Sequence, residues 1–411
     1  MVRSVKLRQM GACLAALFIA GEGHAQESVE LPGEDRTLAL ELSEVYRIGS
    51  ASAVADWELL QTVQGAGFDE AGNLYFLNSP HRVVTVDSAG TLLRQFGRSG
   101  GGPGEFGNPR QLDVLPDGRI VVTDVRRLAF HIFGAEGVFE RMVRMAFDRP
   151  DLDFLQDVVY WTRSESYGAR PTREGAAIFS DGIRKIMRTD LSSEEARVEP
   201  FVEAWAPPGT EAKFGSLAEV ASGPVWGFVP PLVFDALPGG GIAFSDSSTY
   251  AIKVTGPSGQ VLRILRRPIV PQPVTGRLRR AEIDRQLAEL TSDEDPGLGN
   301  VPPTARAMVA GFRAGQVQAI EGMQFFPEVP VLYALRTTWE GNLWVQRRGQ
   351  EPDVDLGPID VLTPSGRYLG TLDGRMRMPD EFGPDGLVAF IERDEYDVPV
   401  IEVKRLPPGI R

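Results

Sequence analysis

Phe96-Gly97-Arg98-Ser99-Gly100-Gly101-Gly102-Pro103-Gly104-Glu105-Phe106, continued through Pro109 and Leu112-Asp113-Val114 to Pro116-Asp117-Gly118-Arg119-Ile120-Val121-Val122-Thr123-Asp124, is the stretch that decides the fold. Short apolar runs alternate with glycine, proline and aspartate. The pattern gives a strand, a glycine-rich crossing loop, a second strand, a tight Asp-Gly turn and a third strand. Upstream, Glu70-Ala71-Gly72-Asn73-Leu74-Tyr75-Phe76-Leu77-Asn78 places turn glycine, apolar strand and polar end in the same order. One supersecondary unit therefore recurs along the chain.

The turn glycine marks the repeat. Gly72, Gly118, Gly240, Gly341 and Gly386 each open an apolar strand, and six residues beyond them stand the polar corners Asn78, Asp124, Asp246, Arg347 and Glu392. A later turn recurs as Asp87-Ser88-Ala89-Gly90, Gly134-Ala135-Glu136-Gly137, Gly256-Pro257-Ser258-Gly259 and Thr363-Pro364-Ser365-Gly366, each followed by another strand. Four strands per unit is the pattern of a propeller blade. The gap after Gly118 is too wide for one step, which predicts a degenerate unit with strands near 157–162, 183–189 and 198–204. The gap after Gly240 holds helical spacing at 277–290, with Leu278, Ile283, Leu287 and Leu290 on one face, and again at 304–323. Units then fall near 60–98, 104–147, 150–206, 213–268, 325–373 and 380–406. The last is one strand short, and the unassigned segment 38–48 at the other end is predicted to complete it, leaving no orphan edge between the termini. The expectation is an all-β, six-bladed propeller over 26–411, with a helical insertion at about 272–324 between blades four and five.

On these residues the chain resembles the NHL-repeat type of six-bladed β-propeller, and more closely the secreted bacterial six-bladed β-propeller proteins. The sharpest match is Gly102-Pro103-Gly104-Glu105-Phe106 with Pro109 and the run from Pro116 to Asp124; a second is Trp339-Glu340-Gly341-Asn342-Leu343-Trp344-Val345. The resemblance covers nearly all of the chain beyond the leader and implies a fold, not a function, since such propellers serve as binding scaffolds, lyases, hydrolases and lactonases. Enzymatic relatives carry histidine-rich or Glu/Asn/Asp metal centres in the channel. Two histidines and few asparagines do not supply one visibly here.

Composition narrows the field further. Arg3, Lys6 and Arg8 precede an apolar run over 11–20, and Gly23-His24-Ala25 offers small residues for cleavage, so 1–25 is expected to be a secretory signal. Cys13 precedes the apolar run, which argues against lipidation, and it leaves with the signal; no disulfide, thiol nucleophile or cysteine metal site is then possible. Cleavage removes three basic residues and one acid, taking the formal net charge from −13 to −15. Nucleic acid is an unsuitable partner for such a chain. No other stretch is long enough for a membrane span, so a monomer in the periplasm or outside the cell is expected.

Each candidate for chemistry has a structural alternative. The glycines before Glu105-Phe106 could cradle an anion, but without a Lys-Ser/Thr ending they favour a crossing loop, with Phe106 wedged between blades. Asn78, Asp124 and Asp246 could form a polar ring or cap their own turns. His131, in Phe130-His131-Ile132-Phe133, is expected to be a satisfied core histidine. His81 stands at a corner where a general base is possible. Glu351, Asp353 and Asp355, and Glu392, Asp394, Glu395 and Asp397, are acidic corners that calcium could use, although none matches a calcium loop. Arg126 and Arg127 place opposite charge at an equivalent corner. Asn78, His81, Arg82, Asp124, Arg126, Arg127, Asp246, Arg347, Glu392 and Arg393 are thus the candidate binding residues, on one rim, for a protein, peptide or glycan. The leading reading is a non-catalytic scaffold without cofactor. The alternative is a hydrolase or lyase using a calcium-like ion in the central funnel.

Overall fold

The computed structural model describes residues 26–50, 53, 55–78, 81–115, 117–145, 170–171, 176–180, 185–205, 225–292, 303–349 and 357–411. The leader at 1–25, the strand expected near 157–162 and the acids Glu351, Asp353 and Asp355 lie outside the described residues.

The described chain is mostly β, with six larger sheets. The first runs Val63–Phe68, Leu74–Asn78, Arg82–Val86 and Leu92–Phe96. The second is Pro109–Val114, Ile120–Asp124, Ala129–Phe133 and Phe139–Arg144. Arg170–Pro171, Ala176–Ser180, Lys185–Asp190 and Arg197–Glu203 make the third. The fourth contains Val233–Ala236, Ile242–Ser245, Ala251–Thr255 and Val261–Arg266. Leu332–Thr337, Leu343–Arg347, Ile359–Leu362 and Tyr368–Leu372 form the fifth. Glu381–Phe382, Leu387–Arg393 and Pro399–Arg405 belong to the sixth, with Ser43–Ile48 outermost. Within each sheet consecutive strands pair antiparallel, as short strands joined by tight turns must.

The second strands Leu74–Asn78 and Ile120–Asp124 are buried at every position. Continuous apolar runs of this kind are covered on both faces. The cover comes from the neighbouring sheets. Tyr75 and Leu77 pack with Phe106 and Ile120 between sheets one and two. Val121 and Ile132 meet Leu191 and Ala196 between two and three, and Ile186 and Val202 meet Ile242 and Phe244 between three and four. Ile252 and Leu265 join Leu332 and Leu343, and Trp344 and Val361 join Val388 and Phe390. A further cluster takes Ala389, Ile401 and Val403 of the last sheet and Phe68, Phe76 and Val84 of the first. Phe106 is fully buried in its wedge.

The N-terminal segment covers more edge than the sequence predicts. Ser43–Ile48 pairs with Pro399–Arg405, with Tyr46 opposite Val403 and Ile48 opposite Ile401. Upstream, Leu38 N donates to Thr371 O at 2.8 Å and Thr371 N to Arg36 O at 2.8 Å, along the outer strand of sheet five. Glu27–Glu30 lies parallel to Val261–Arg266 as a fifth strand of sheet four. One segment thus hydrogen-bonds three successive outer edges, where an open edge would invite pairing with another chain.

Arg267 anchors this segment. Its side chain is fully buried, 3.0 Å from Asp360 and 2.7 Å from Asp35. It also donates to Pro32 O at 2.7 Å and Glu34 O at 2.9 Å, and lies 4.7 Å from the centroid of Tyr368.

Between sheets four and five run α1 (Gly276–Ser292) and α2 (Pro303–Glu321). Leu278 of the expected helical face is buried with Phe228 and Val329, while Ile283, Leu287 and Leu290 are half-buried. Two brief pairings, Gln272–Pro273 with Glu328–Val329 and Trp226–Gly227 with Gln324–Phe325, tie the helical region down. Such two-residue strands are too short to leave a periodic trace in sequence.

Candidate functional site

The first strands of sheets one, two, four, five and six line one cavity of about 730 Å³. Ladder register sorts its walls by depth. Gly67, Asp113, Asp235, Arg336 and Glu381 pair with Tyr75, Val121, Ala243, Trp344 and Ala389. Those partners each stand three residues after a turn glycine, so the five residues share one level. Here neighbouring sheets are stapled together. Asp235 accepts from Thr337 N at 2.8 Å, and Arg336 lies 3.5 Å from Glu381 and donates to Asp380 O. Gln111 donates to both oxygens of Asp113, at 3.1 and 3.0 Å. Burial pushes the Asp380 carboxyl up despite its hydrogen bond from Ile391 N and its contact with Arg377.

Sheet one comes close to sheet two at this wall. A Cβ on Gly65 would stand 3.0 Å from Leu112 N, and one on Gly67 would stand 2.8 Å from a Val114 methyl. Glycine is what lets the two inner strands approach.

Above the charged level the ladder slips in three sheets. Val63 faces Asn78 and Gly65 faces Leu77, leaving Gln64 bulged. Arg110 is bulged in the same way between Pro109 and Gln111, and Tyr333 between Leu332 and Ala334. A bulged residue leaves the ladder and can be re-aimed. All three line the cavity. Arg110 is exposed and makes no hydrogen bond or ion pair among the described residues. The Gln64 side-chain oxygen is buried with no donor. Tyr333 is 36% exposed, with the Arg348 guanidinium 5.5 Å from its ring centroid. Arg348 is also near Glu282 of α1. Burial raises the pKa of Glu282, but its bonds from Arg285 and Gln286 and the Arg348 charge more than offset this and hold it below the ordinary glutamate value. The opposite end of the cavity is apolar, with Phe68, Val114, Leu237, Pro238, Trp339 and Phe382.

The corner residues stand at the bulged end, because Val63, Pro109 and Leu332 pair with Asn78, Asp124 and Arg347. Several are engaged within the fold. Asn78 accepts from Gln61 N at 3.1 Å. Asp124, fully buried, accepts from the backbone amides of Gly107, Asn108, Arg126 and Arg127. Asp246 accepts from Trp205 N and Lys253, each at 2.7 Å. Arg347 reaches Asp35 at 2.7 Å and Asp360 at 3.5 Å. Arg127 donates to Gly100 O and lies 3.8 Å from Asp124, whereas Arg126 is exposed. Nearer the surface, Arg82 bonds Gln95 at 2.6 Å, Glu392 pairs with Arg377 at 3.3 Å and Arg393 with Asp397 at 3.2 Å. His81 Nδ1 lies 2.7 Å from Ser99 Oγ, in a backbone with φ of +59°.

His131 corrects one expectation. It is 1% exposed, as a core residue, but neither ring nitrogen has a hydrogen-bond partner. Asp124 is 3.8 Å away, too far to satisfy it, because that carboxylate is turned toward the amides of the glycine-rich loop. Among the described residues no three His, Cys, Asp or Glu side chains converge as a metal cluster. Asp394 accepts from Tyr396 N and Val398 N, each at 2.9 Å, and so caps its turn.

Sequence reasoning missed the bulged positions. Their only shared signal is a place, the second residue of each inner strand, since Gln64, Arg110 and Tyr333 have no chemistry in common.

No helix among the described residues is long and apolar enough to cross a membrane. No protein-family model matches the chain, and no curated protein does. Similar solved structures include a member of the DUF4221 family from Bacteroides vulgatus, 12% identical, covering 90% of this chain and 98% of that one with a TM-score of 0.49. The virginiamycin B lyase of Staphylococcus aureus is 11% identical over 90% of this chain and 100% of its own, with a TM-score of 0.39. The Cps50 (Swd1) β-propeller domain of Myceliophteria thermophila is 10% identical over 89% and 100%, with a TM-score of 0.39. These similarities carry no argument about activity.

Proposed function

We propose that the chain, after loss of residues 1–25, is an exported six-bladed β-propeller of the NHL-repeat type that acts as a non-catalytic binding scaffold. The six larger sheets are its blades, the N-terminal segment closes the ring, and the helical pair is inserted between blades four and five. Its ligand is a peptide or glycan chain that enters the cavity at the end ringed by the corners. The observation that carries this reading is the bulge repeated at one place in three inner strands, which supplies Gln64, Arg110 and Tyr333 to one mouth. A cavity of about 730 Å³ with a few converging polar groups suits a ligand of a few residues or sugars. Engaged corners such as Asp124 hold the frame, and Arg126 stands exposed beside Gly107.

The test is an array of extracellular glycans and peptides probed with the intact protein, Tyr333→Ala and Pro238→Ala. Pro238 lines the opposite, apolar end. Tyr333→Ala is expected to weaken capture at least tenfold and Pro238→Ala by less than about threefold, as removal of an aromatic contact at the mouth requires. Loss with Pro238→Ala alone would move the site to the other end. Turnover of a captured ligand would make the protein an enzyme.

A further inference from the structure

We infer that His131 and Asp124 form an acid-operated latch on the glycine-rich loop: a proton taken up by the buried ring draws Asp124 Oδ2 from the amide of Gly107 to His131 Nε2 and frees the loop where it enters sheet two. The junction is a single oxygen atom. Asp124 Oδ1 accepts from the amides of Asn108, Arg126 and Arg127 at 3.0, 3.1 and 3.1 Å, whereas Oδ2 accepts from Gly107 N at 2.5 Å. Two further nitrogens, His131 Nε2 and Arg127 Nε, lie 3.8 Å from the same Oδ2, and both are buried without a hydrogen-bond partner. Three donors thus surround one acceptor, and a displacement of roughly 1 Å is enough to change which of them it serves.

A neutral imidazole has little hold on the carboxylate. A protonated one carries a full charge and a donor on each nitrogen, and a buried charge is costly unless it is paired. The glycine-rich loop and the outer strand present only the rings of Phe106 and Phe139 to His131, at 5.5 and 6.0 Å between centroids, and its ladder neighbours are Val122 and Met142. Glu105, next to Phe106, is turned to Arg98 and the Gly102 amide. The charges that act on the ring are Asp124 and Arg127, so Asp124 is the partner for an imidazolium. Their charge-assisted bond is stronger than the one the carboxylate makes to a neutral amide. Gly107 is half-buried, and its released amide can turn to water. Burial lowers the pKa of His131, Asp124 opposes this and Arg127 adds to it, which places the hand-over on the acid side of 6.5. The segment set free leads through Pro109 into the bulged Arg110, whichever end of the cavity binds.

Hydrogen exchange of the full chain is followed by mass spectrometry at residue resolution between about pH 7.5 and 5, corrected for the chemical exchange rate. The Gly107 amide is expected to lose protection at least tenfold on acidification, while the Asn108 amide, whose acceptor is Oδ1, and the strand Pro399–Arg405 change less than about threefold. His131→Leu and His131→Gln, neither of which takes up a proton, should each keep Gly107 protected throughout. Arg127→Gln removes the opposing charge and should move the transition to higher pH. Equal protection of Gly107 at both ends of the range, a response that survives in either His131 variant, an Arg127→Gln transition at the same or lower pH, or opening of Gly107 only together with Asn108 and Pro399–Arg405 would overturn the latch.

Discussion

At the scale of single residues, His131 has the clearest solution consequence. Burial lowers its pKa below 6.5; Asp124 opposes that shift and Arg127 adds to it. The native state therefore holds the ring neutral at a pH where the unfolded chain, titrating near 6.5, already takes up a proton. More protons on the unfolded chain mean that stability rises with pH across this window and is lost as pH falls below about 6.5. His131→Leu keeps contact with Phe106 and Phe139 and removes the proton. Urea titrations of the variant should show a flatter loss of stability between about pH 6.5 and 5 than the intact protein. Asp35 and Glu282 have lowered pKa values, so their contributions are lost only in the more acidic carboxylate range. An unchanged slope above pH 5 would assign the loss to other groups. The sequence Phe130-His131-Ile132-Phe133 shows that the ring is buried. It cannot show that both nitrogens lack partners, because that depends on where the carboxylate of Asp124 is aimed by a loop seventeen residues upstream.

At the scale of elements, the turn glycines were legible and the bulges were not. Gly118 adopts φ of +82°, and a Cβ there would stand 3.0 Å from Ala135 Cβ and 3.1 Å from the Tyr75 hydroxyl. A residue forced into that backbone region has few alternatives to glycine, so its recurrence is visible in the sequence. Gly118→Val should destabilise by about 1–3 kcal/mol, since a β-branched side chain is strained at positive φ. Gly118→Asn should cost less, because asparagine visits that region more readily, although it meets the same neighbours. Thermal melts of the two variants should therefore separate, with valine lower; coincident melts would show that the turn is not under this constraint. A bulge leaves no comparable mark. It adds one residue to a strand without changing which faces are apolar, and any side chain can occupy it, as Gln64, Arg110 and Tyr333 show. The candidate corners were legible because they follow the glycines at fixed distance, whereas the cavity-lining residues follow from register, which exists only once strands pair.

At the scale of the whole molecule, the missing strand of the last unit predicted a partner from the N-terminus, and Ser43–Ile48 lies against Pro399–Arg405. The preceding residues gave no such signal. Glu27–Glu30 and Leu31-Pro32-Gly33-Glu34-Asp35-Arg36 are polar or irregular, and their partners lie more than two hundred residues away. What fixes them is a charge network. Arg267 is fully buried between Asp360 and Asp35, and Arg347 reaches the same two carboxylates. A buried cation that loses a partner is costly, by about 3–5 kcal/mol when the partner was itself buried. Asp35 is nearly half exposed and Asp360 stays in place, but deletion of residues 26–37 also takes the Pro32 and Glu34 carbonyls from Arg267 and buried Leu31 from the core between sheets four and five, so it should cost at least about 3–5 kcal/mol, read by urea denaturation. It also uncovers the outer edges of sheets four and five, which should appear as self-association in light scattering. Deletion of 26–48 additionally strips the outer strand from the sixth sheet and Tyr46 and Ile48 from the core shared by the last and first sheets. That core is where the chain's two ends meet. If it closes the ring, the longer deletion lowers the melting temperature of the entire molecule in one transition and more than the shorter deletion does, whereas a low-temperature phase affecting only a few strands, or a melt like that of the intact protein, would mean that the six sheets hold together without their N-terminal segment.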